Sequence, residues 1–274
     1  MRYISQIVIV LLLIAIVFDA AAQDKSNVDL DINEQITQSE ETLAEQYPKE
    51  MGSLRVKNNQ ILFESMTDSE IKIEELELLN DTDNPVKVDF RSMPKHLTAT
   101  VEPESIPAKG KGIMKVTFDA NELNSYGLNT SRIYLSLDDS NDYKYSIGIS
   151  ATIEEDFSKL TPEELLISPI ATFSEKEYDF DEMRQGEKQE HIFTLKNSGE
   201  SELYIRDIRS SCGCIAVTPT TNMISAGQST SISVIFDSSG KRGRQSKSIT
   251  VITNDPKNPT TTLRISCNIV VPES

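Results

Sequence analysis

The chain has 274 residues and a formal net charge of −16, from 27 Lys and Arg against 43 Asp and Glu. A balance this acidic argues against nucleic acid and anionic membrane surfaces as partners, because phosphate binding needs clustered Lys and Arg. Tryptophan is absent and aromatic residues make up 6%, which weakens a carbohydrate-binding module, since sugar rings stack on aromatic faces.

Residues 1–22 read as an export signal. Arg2 precedes an apolar run from Ile7 to Phe18, and Ala20-Ala21-Ala22 supplies small residues for cleavage before Gln23. The run is 12 residues long, against about 20 for a bilayer span. No stable membrane insertion is expected after signal cleavage; the alternative is a chain tethered by an uncleaved N-terminal segment. No cysteine follows the cleavage point, which speaks against a lipid anchor. The expected location is exported, periplasmic or extracellular.

Residues 23–52 form an acidic N-terminal segment, expected to be partly disordered or helical. Asp29, Asp31, Asn33, Ile36 and Glu40 mimic calcium-loop spacing, but Glu34 stands where the loop needs Gly, so the match is a decoy. Residues 53–153 and 170–274 are expected to be two copies of one domain. Tyr178-Asp-Phe180-Asp-Glu-Met183 lies over Ile61-Leu-Phe63-Glu-Ser-Met66, and Phe193, Leu195 and Asn197 lie over Leu76, Leu78 and Asn80. Further on, Ile232, Val234 and Phe236 lie over Met114, Val116 and Phe118, and Ile265, Cys267 and Ile269 over Ile147, Ile149 and Ala151. A period this long is a duplicated domain, because solenoid repeats run about 20 to 50 residues.

Within each copy, apolar residues alternate with polar ones at period two, the sign of half-buried strands. Turn signals such as Asn197-Ser-Gly199, Ser225-Ala-Gly227 and Asn254-Asp-Pro256 separate the runs. About seven short strands per copy predict an all-β protein of two tandem immunoglobulin-like β-sandwiches. Residues 154–169 form the linker. Thr161, Pro162 and Glu164 make a capping box that predicts a short helix ending before Ser168-Pro169. Leu160, Leu165, Leu166 and Ile167 are expected to pack into the junction and stiffen it.

The second copy resembles a known family. Tyr178-Asp-Phe180 to Gly186-Glu187, Phe193-Thr-Leu195-Lys-Asn197-Ser-Gly199, Cys212-Gly213-Cys214, Ile232 to Lys241 and Asn254-Asp255 follow, in order and spacing, the domain-of-unknown-function family numbered 1573. Its members are bacterial envelope proteins, similar to the Ig-like domains of the Hydin and major-sperm-protein group. The first copy is a diverged repeat, with Pro94-Lys95-His96-Leu97-Thr98 in place of the Cys-Gly-Cys. The resemblance implies the sandwich fold and an envelope location, and it implies no enzyme activity.

Cys212-Gly213-Cys214 is the constellation with chemical potential. Its loop is expected after a strand over Leu203–Ile208. A disulfide across one residue closes almost no loop and is strained, and strained bridges are the easily reduced ones. Exported thiols tend to oxidise. The two cysteines therefore make a tight structural turn, a labile redox bridge, or a soft-metal site for Cu(I) or Zn(II) that lacks further ligands. Cys267 takes the inward position of Ile149 and reads as a small buried hydrophobe. Lys241, Arg242, Arg244 and Lys247, around Gly240 and Gly243, read as a solvated turn or as a docking patch for an acidic partner. His96 and His191 sit in no catalytic or metal pattern, and His191 is expected at the surface. Asp138, Ser140 and Asp142 read as a polar hairpin tip. No hydrolase elbow, phosphate loop, zinc-protease or dinucleotide motif is present. The expectation is a non-enzymatic exported binding or scaffolding protein without cofactor, partnered by an unknown envelope protein. The alternative is a thiol redox or metal-handling protein using Cys212 and Cys214.

Overall fold

The computed structural model describes residues 45–138, 140 and 142–271. The stretch read as an export signal, the first part of the lead segment and its calcium-like residues lie outside the described residues. The rest is nearly all β, as two sandwiches in tandem.

The first comprises β1 (Lys49–Met51), β2 (Leu54–Val56), β3 (Gln60–Leu62), β4 (Met66–Thr67), β5 (Ile71–Asn80) and β6 (Val86–Phe90). It continues with β7 (Leu97–Glu102), β8 (Ser105–Ile106), β9 (Lys111–Asp119), β10 (Gly127–Leu137) and β11 (Tyr145–Glu154). One sheet runs β1-β2-β5-β9-β7; the other runs β3-β11-β10-β6-β8, with β4 also on β11. The second sandwich comprises β12 (Ala171–Phe173), β13 (Glu177–Arg184), β14 (Lys188–Asn197), β15 (Leu203–Ser210) and β16 (Ile215–Pro219). β17 (Met223–Ile224), β18 (Ser229–Asp237), β19 (Gly243–Thr253) and β20 (Thr260–Val270) complete it. Its sheets run β12-β14-β18-β16 and β13-β20-β19-β15-β17. The inward rows are those the alternation specified: Met114, Val116 and Phe118 in one copy and Ile232, Val234 and Phe236 in the other are 0–1% exposed.

Each copy begins on one sheet and crosses to the other, where β3 and β13 run parallel to the final strands β11 and β20. At this crossing Phe63 and Met66, and likewise Phe180 and Met183, all face the core although the members of each pair stand three positions apart. Strict alternation forbids that spacing. In the second copy a register shift between Asp179 and Glu182, with Asp181 at φ 57°, absorbs the extra residue. In the first, the break between β3 and β4 does so.

Asn80 and Asn197 are both 0% exposed at equivalent places. Asn80 Nδ2 donates to the carbonyls of Asn84, Ile106 and Pro107 at 2.8, 3.1 and 3.0 Å, and its Oδ1 accepts the Thr82 N–H at 3.0 Å. Asn197 Nδ2 donates to Ser201 and Ile224 carbonyls at 2.7 and 2.9 Å, while Oδ1 accepts the Gly199 N–H at 3.0 Å. A single amide thus replaces water for several turn groups that β-pairing leaves over. Asp255, also 0% exposed, accepts N–H bonds from Ala171, Lys257 and Asn258 at 2.9, 2.9 and 3.2 Å, pinning β12 to the Asn254-Asp255 turn.

Two expectations need correction. Strand β1 opens at Lys49, inside the lead segment 23–52, because Tyr47 and Met51 are buried at 1% and 4% and anchor that stretch. The linker helix α1 (Pro162–Leu166) forms with both halves of its capping box, yet Leu165, Leu166 and Ile167 are 38%, 84% and 48% exposed. Polar contacts fix this segment instead. Ser201 Oγ donates to the Ile167 carbonyl at 2.7 Å, and a Cβ on Gly199 would meet the Ser168 carbonyl at 2.2 Å.

Replacing Asn197 by Ala should lower the stability of the second sandwich by about 2–3 kcal/mol, since the Ser201 and Ile224 carbonyls lose their donor while buried. Urea unfolding followed by circular dichroism measures it; an unchanged midpoint would show that water takes over the amide's role.

Candidate functional site

The Cys-Gly-Cys turn sits between β15 and β16. β15 extends to Ser210, two residues beyond the strand end read from sequence. Cys212 and Cys214 are joined by a disulfide, with Cα atoms 5.2 Å apart. Ser210 Oγ donates to the Cys212 and Ile215 carbonyls at 3.0 and 3.3 Å, and the Cys214 carbonyl accepts the Asp237 N–H at 2.9 Å. Both half-cystines pack against the sandwich core, whereas a Cβ on Gly213 would meet nothing within 4 Å. The turn therefore shows solvent its Gly and holds its sulfurs against the core. The bridge occupies both sulfurs that a soft metal would need as thiolates.

Cys267 is a free thiol, 1% exposed, on β20 opposite Gln245. Burial first, and then the Asp179 carboxylate, push its pKa up. It stays protonated and unreactive, as an inward hydrophobe should. Among the described residues no group of three or more His, Cys, Asp or Glu side chains converges as a metal site would require.

In the basic cluster Arg242 and Arg244 are exposed, and Lys241 and Lys247 half-buried. Arg244 projects outward and donates to Asp179 Oδ2 at 2.6 Å and Ser266 Oγ at 3.2 Å, holding the Asp179 carboxyl below its ordinary range. Lys247, at odd spacing from Arg244, lies half-buried in the row that leads to core Ile249. Lys241 and Arg242 belong to the turn between Gly240 and Gly243, at φ 68° and 61°. Strand alternation places Arg244 and Lys247 on opposite faces of β19.

His191 is half-buried rather than superficial. Its ring stacks on Tyr178 at 3.6 Å and 10°, meets Phe193 edge-on, and bonds Glu175 at 2.9 Å. His96 lies 3.2 Å from Ser131 Oγ and against Phe118, and burial lowers its pKa. A cavity of about 570 Å³ on the outer face of the first sandwich is lined by Gln60, Thr130, Arg132, Tyr134, Gly148 and Ser150. These residues offer hydrogen bonds but no carboxylate or thiol for acid, base or nucleophilic work. At the hairpin tip, Asp138 accepts the Lys87 N–H at 3.1 Å and Asp142 pairs with Lys144 at 3.2 Å.

The contacts that sequence reasoning missed lie between the sandwiches. Arg206 of β15 grips the linker carboxylate of Glu155 by two bonds, 2.9 and 2.5 Å, under the rings of Tyr126 and Tyr204 at 5.6 and 5.4 Å. Arg209 donates to the backbone carbonyls of Tyr126 and Leu128 in the first sandwich and to Asp207 in its own strand. Gly127, at φ 73°, lets Ile252 approach to where a Cβ would lie 2.6 Å from its Cδ1. Tyr126 donates to Asp68 at 2.9 Å, and burial, with help from that carboxylate, pushes its phenol up to about 12. No local sequence pattern around Arg206 or Arg209 points to this junction.

Such a chain is a pair of Ig-like sandwiches fixed by a charged junction. Residues 171–269, the second sandwich, match the family described as "Protein of unknown function (DUF1573)", the family whose motifs that stretch resembles. Among solved structures, a protein of unknown function from Porphyromonas gingivalis W83 is similar with TM-score 0.58 and 18% identity, over 79% of this chain and 100% of that one. This establishes a shared fold across both sandwiches. A PapD-like domain of human CEP192 aligns at TM-score 0.33 and 15% identity, over 44% of this chain and 96% of that one, too low to carry an argument. No curated protein matches.

Tyr126 should be the last phenol to ionise. Its folded-state pKa lies above the ordinary value of 10.0, at about 12. The folded junction therefore keeps a proton that an unfolded chain has already lost, and stability is present below pH 10 and falls as pH rises through about 12. Ultraviolet titration of the wild type and Tyr126→Phe checks this; the variant should lose the highest-pH step.

Proposed function

We propose that this protein is a non-enzymatic binding or scaffolding protein exported to a bacterial envelope. The observation that carries the reading is the junction. Arg206 and Arg209 reach across to Glu155 and to the first sandwich's backbone, so two binding surfaces are held at a constant angle. A locked pair of domains loses little orientational freedom on engaging a partner. The export signal and the family resemblance of the second sandwich support the compartment. The partner is a protein of the envelope, and neither cofactor nor nucleic acid enters.

A second reading has one specific observation behind it. The Cys212–Cys214 bridge closes across a single residue in an exposed turn, and its two cysteines are half-buried rather than enclosed, so a thiolate can approach and exchange with it. In that reading the protein is a thiol redox module of the envelope.

Crosslinking in the native host should recover the chain from the envelope fraction joined to a protein partner, and the double variant Cys212→Ser, Cys214→Ser should still be joined to it. Loss of the adduct in the double variant, with the fold intact by circular dichroism, would favour the redox reading; absence of any adduct in the wild type would remove the binding one.

A further inference from the structure

The two sandwiches have diverged along one side. β7 ends its sheet in the first copy and β16 ends the matching sheet in the second. The His96 carbonyl accepts the Asp119 N–H at 2.9 Å, and the Cys214 carbonyl accepts the Asp237 N–H at 2.9 Å. Given the registers Leu97↔Phe118 and Ile215↔Phe236, antiparallel alternation turns even-numbered backbone groups toward the neighbouring strand and odd-numbered ones outward.

Residue by residue, the second edge is blunted. The Ile215 N–H donates to the Cys212 carbonyl at 3.3 Å, and the Ile215 carbonyl accepts Ser210 Oγ at 3.3 Å. Pro219 has no N–H to offer. Only Val217 keeps a donor. The first edge is open. Leu97 gives its N–H to the Pro94 carbonyl at 3.0 Å, but Ala99 and Val101 both turn an N–H and a C=O outward, and Leu97 adds a C=O. Val101 holds the position of Pro219, and Pro94 to His96 stand where the second copy has its disulfide. Proteins guard free edges with proline and covering turns because open ones recruit strands. Both copies cover the start of the edge strand with a turn, but the second adds Ser210 and Pro219, whereas the first leaves Ala99 and Val101 open.

Resting on the binding reading above, we infer that the β7 edge accepts an extended peptide segment of a partner protein, which adds a strand to the first sandwich. The backbone donors and acceptors are spaced for a strand, and a helix or a small polar ligand would leave them unmatched. Alternate side chains of the incoming strand would turn toward the core, beside Ala99 and Val101, which are themselves half-buried against it, as are Phe90 and Met93. The segment therefore alternates apolar and polar residues. Glu102, which ends β7, and Glu104 just beyond it have side chains 66% and 87% exposed and pair with Lys115 and Lys87 at 3.0 and 3.9 Å; a Lys or Arg on the segment's outer face can share these carboxylates.

The probe is a fluorescent eight-residue peptide alternating Val and Lys, added to the complete mature protein. Binding by anisotropy should be accompanied by slower amide exchange at Ala99 and Val101 and unchanged exchange at Val217. Val101→Pro, which copies the second sandwich and breaks no ladder bond, should weaken binding about tenfold, the worth of one lost backbone bond. Val101→Lys, an inward charge at the edge, should do the same if the proline variant misfolds, and Val217→Pro should leave binding unchanged. Equal binding by wild type and both Val101 variants, protection at another strand, or a dimer of this chain that Val101→Pro dissolves would each overturn the assignment. A peptide that fails to bind while the envelope crosslink persists sinks this edge and not the binding reading.

Discussion

A buried amide at one place in each sandwich carries much of the fold's specificity. Hydrophobic alternation brings two sheets together, but it does not say where the chain must leave one sheet and turn back. Asn80 and Asn197 supply that instruction. Each ends a long inner strand, is fully enclosed, and satisfies carbonyls from two different segments along with the amide of the following turn. Inside a low-dielectric core, an unmatched donor is costly enough that competing registers are disfavoured. The surrounding aliphatic rows can then be plain Leu, Ile, Val and Phe without losing uniqueness.

Much of this was legible in the chain. Period-two rows, the duplicated spacing and the Thr161–Glu164 capping box are local signals, and local signals survive into three dimensions because they arise from the backbone itself. The Asn pair was visible as an alignment of equivalent residues, though its burial was not. What stayed hidden was relational. Nothing about Arg206 or Arg209 distinguishes them from solvated strand charges until Glu155 and the backbone near Gly127 are placed beside them. The same holds for His191, whose cover comes from Tyr178 on a different strand. Leu165, Leu166 and Ile167 misled for the converse reason. A five-residue helix is too short to offer a continuous apolar stripe, so its hydrophobic residues need not find a core.

The two sandwiches differ at their edges and at the junction. The second retains the disulfide turn and the guarded side, and its β15 carries the arginines that fasten the first copy in place. The first lacks the cysteines, has the additional strand β1, and leaves part of one flank uncovered. Both versions preserve the same core positions, so the differences lie where the fold tolerates them, at edges and loops.

Cys267 has a practical corollary. The chain contains no tryptophan and three cysteines, two of them in the bridge, so this one enclosed sulfhydryl is a built-in reporter confined to a single half of the molecule. Alkylating reagents reach it when the C-terminal half opens and ignore openings of the N-terminal half. Its labelling kinetics would clock one module's breathing separately from the other's, with no engineered probe.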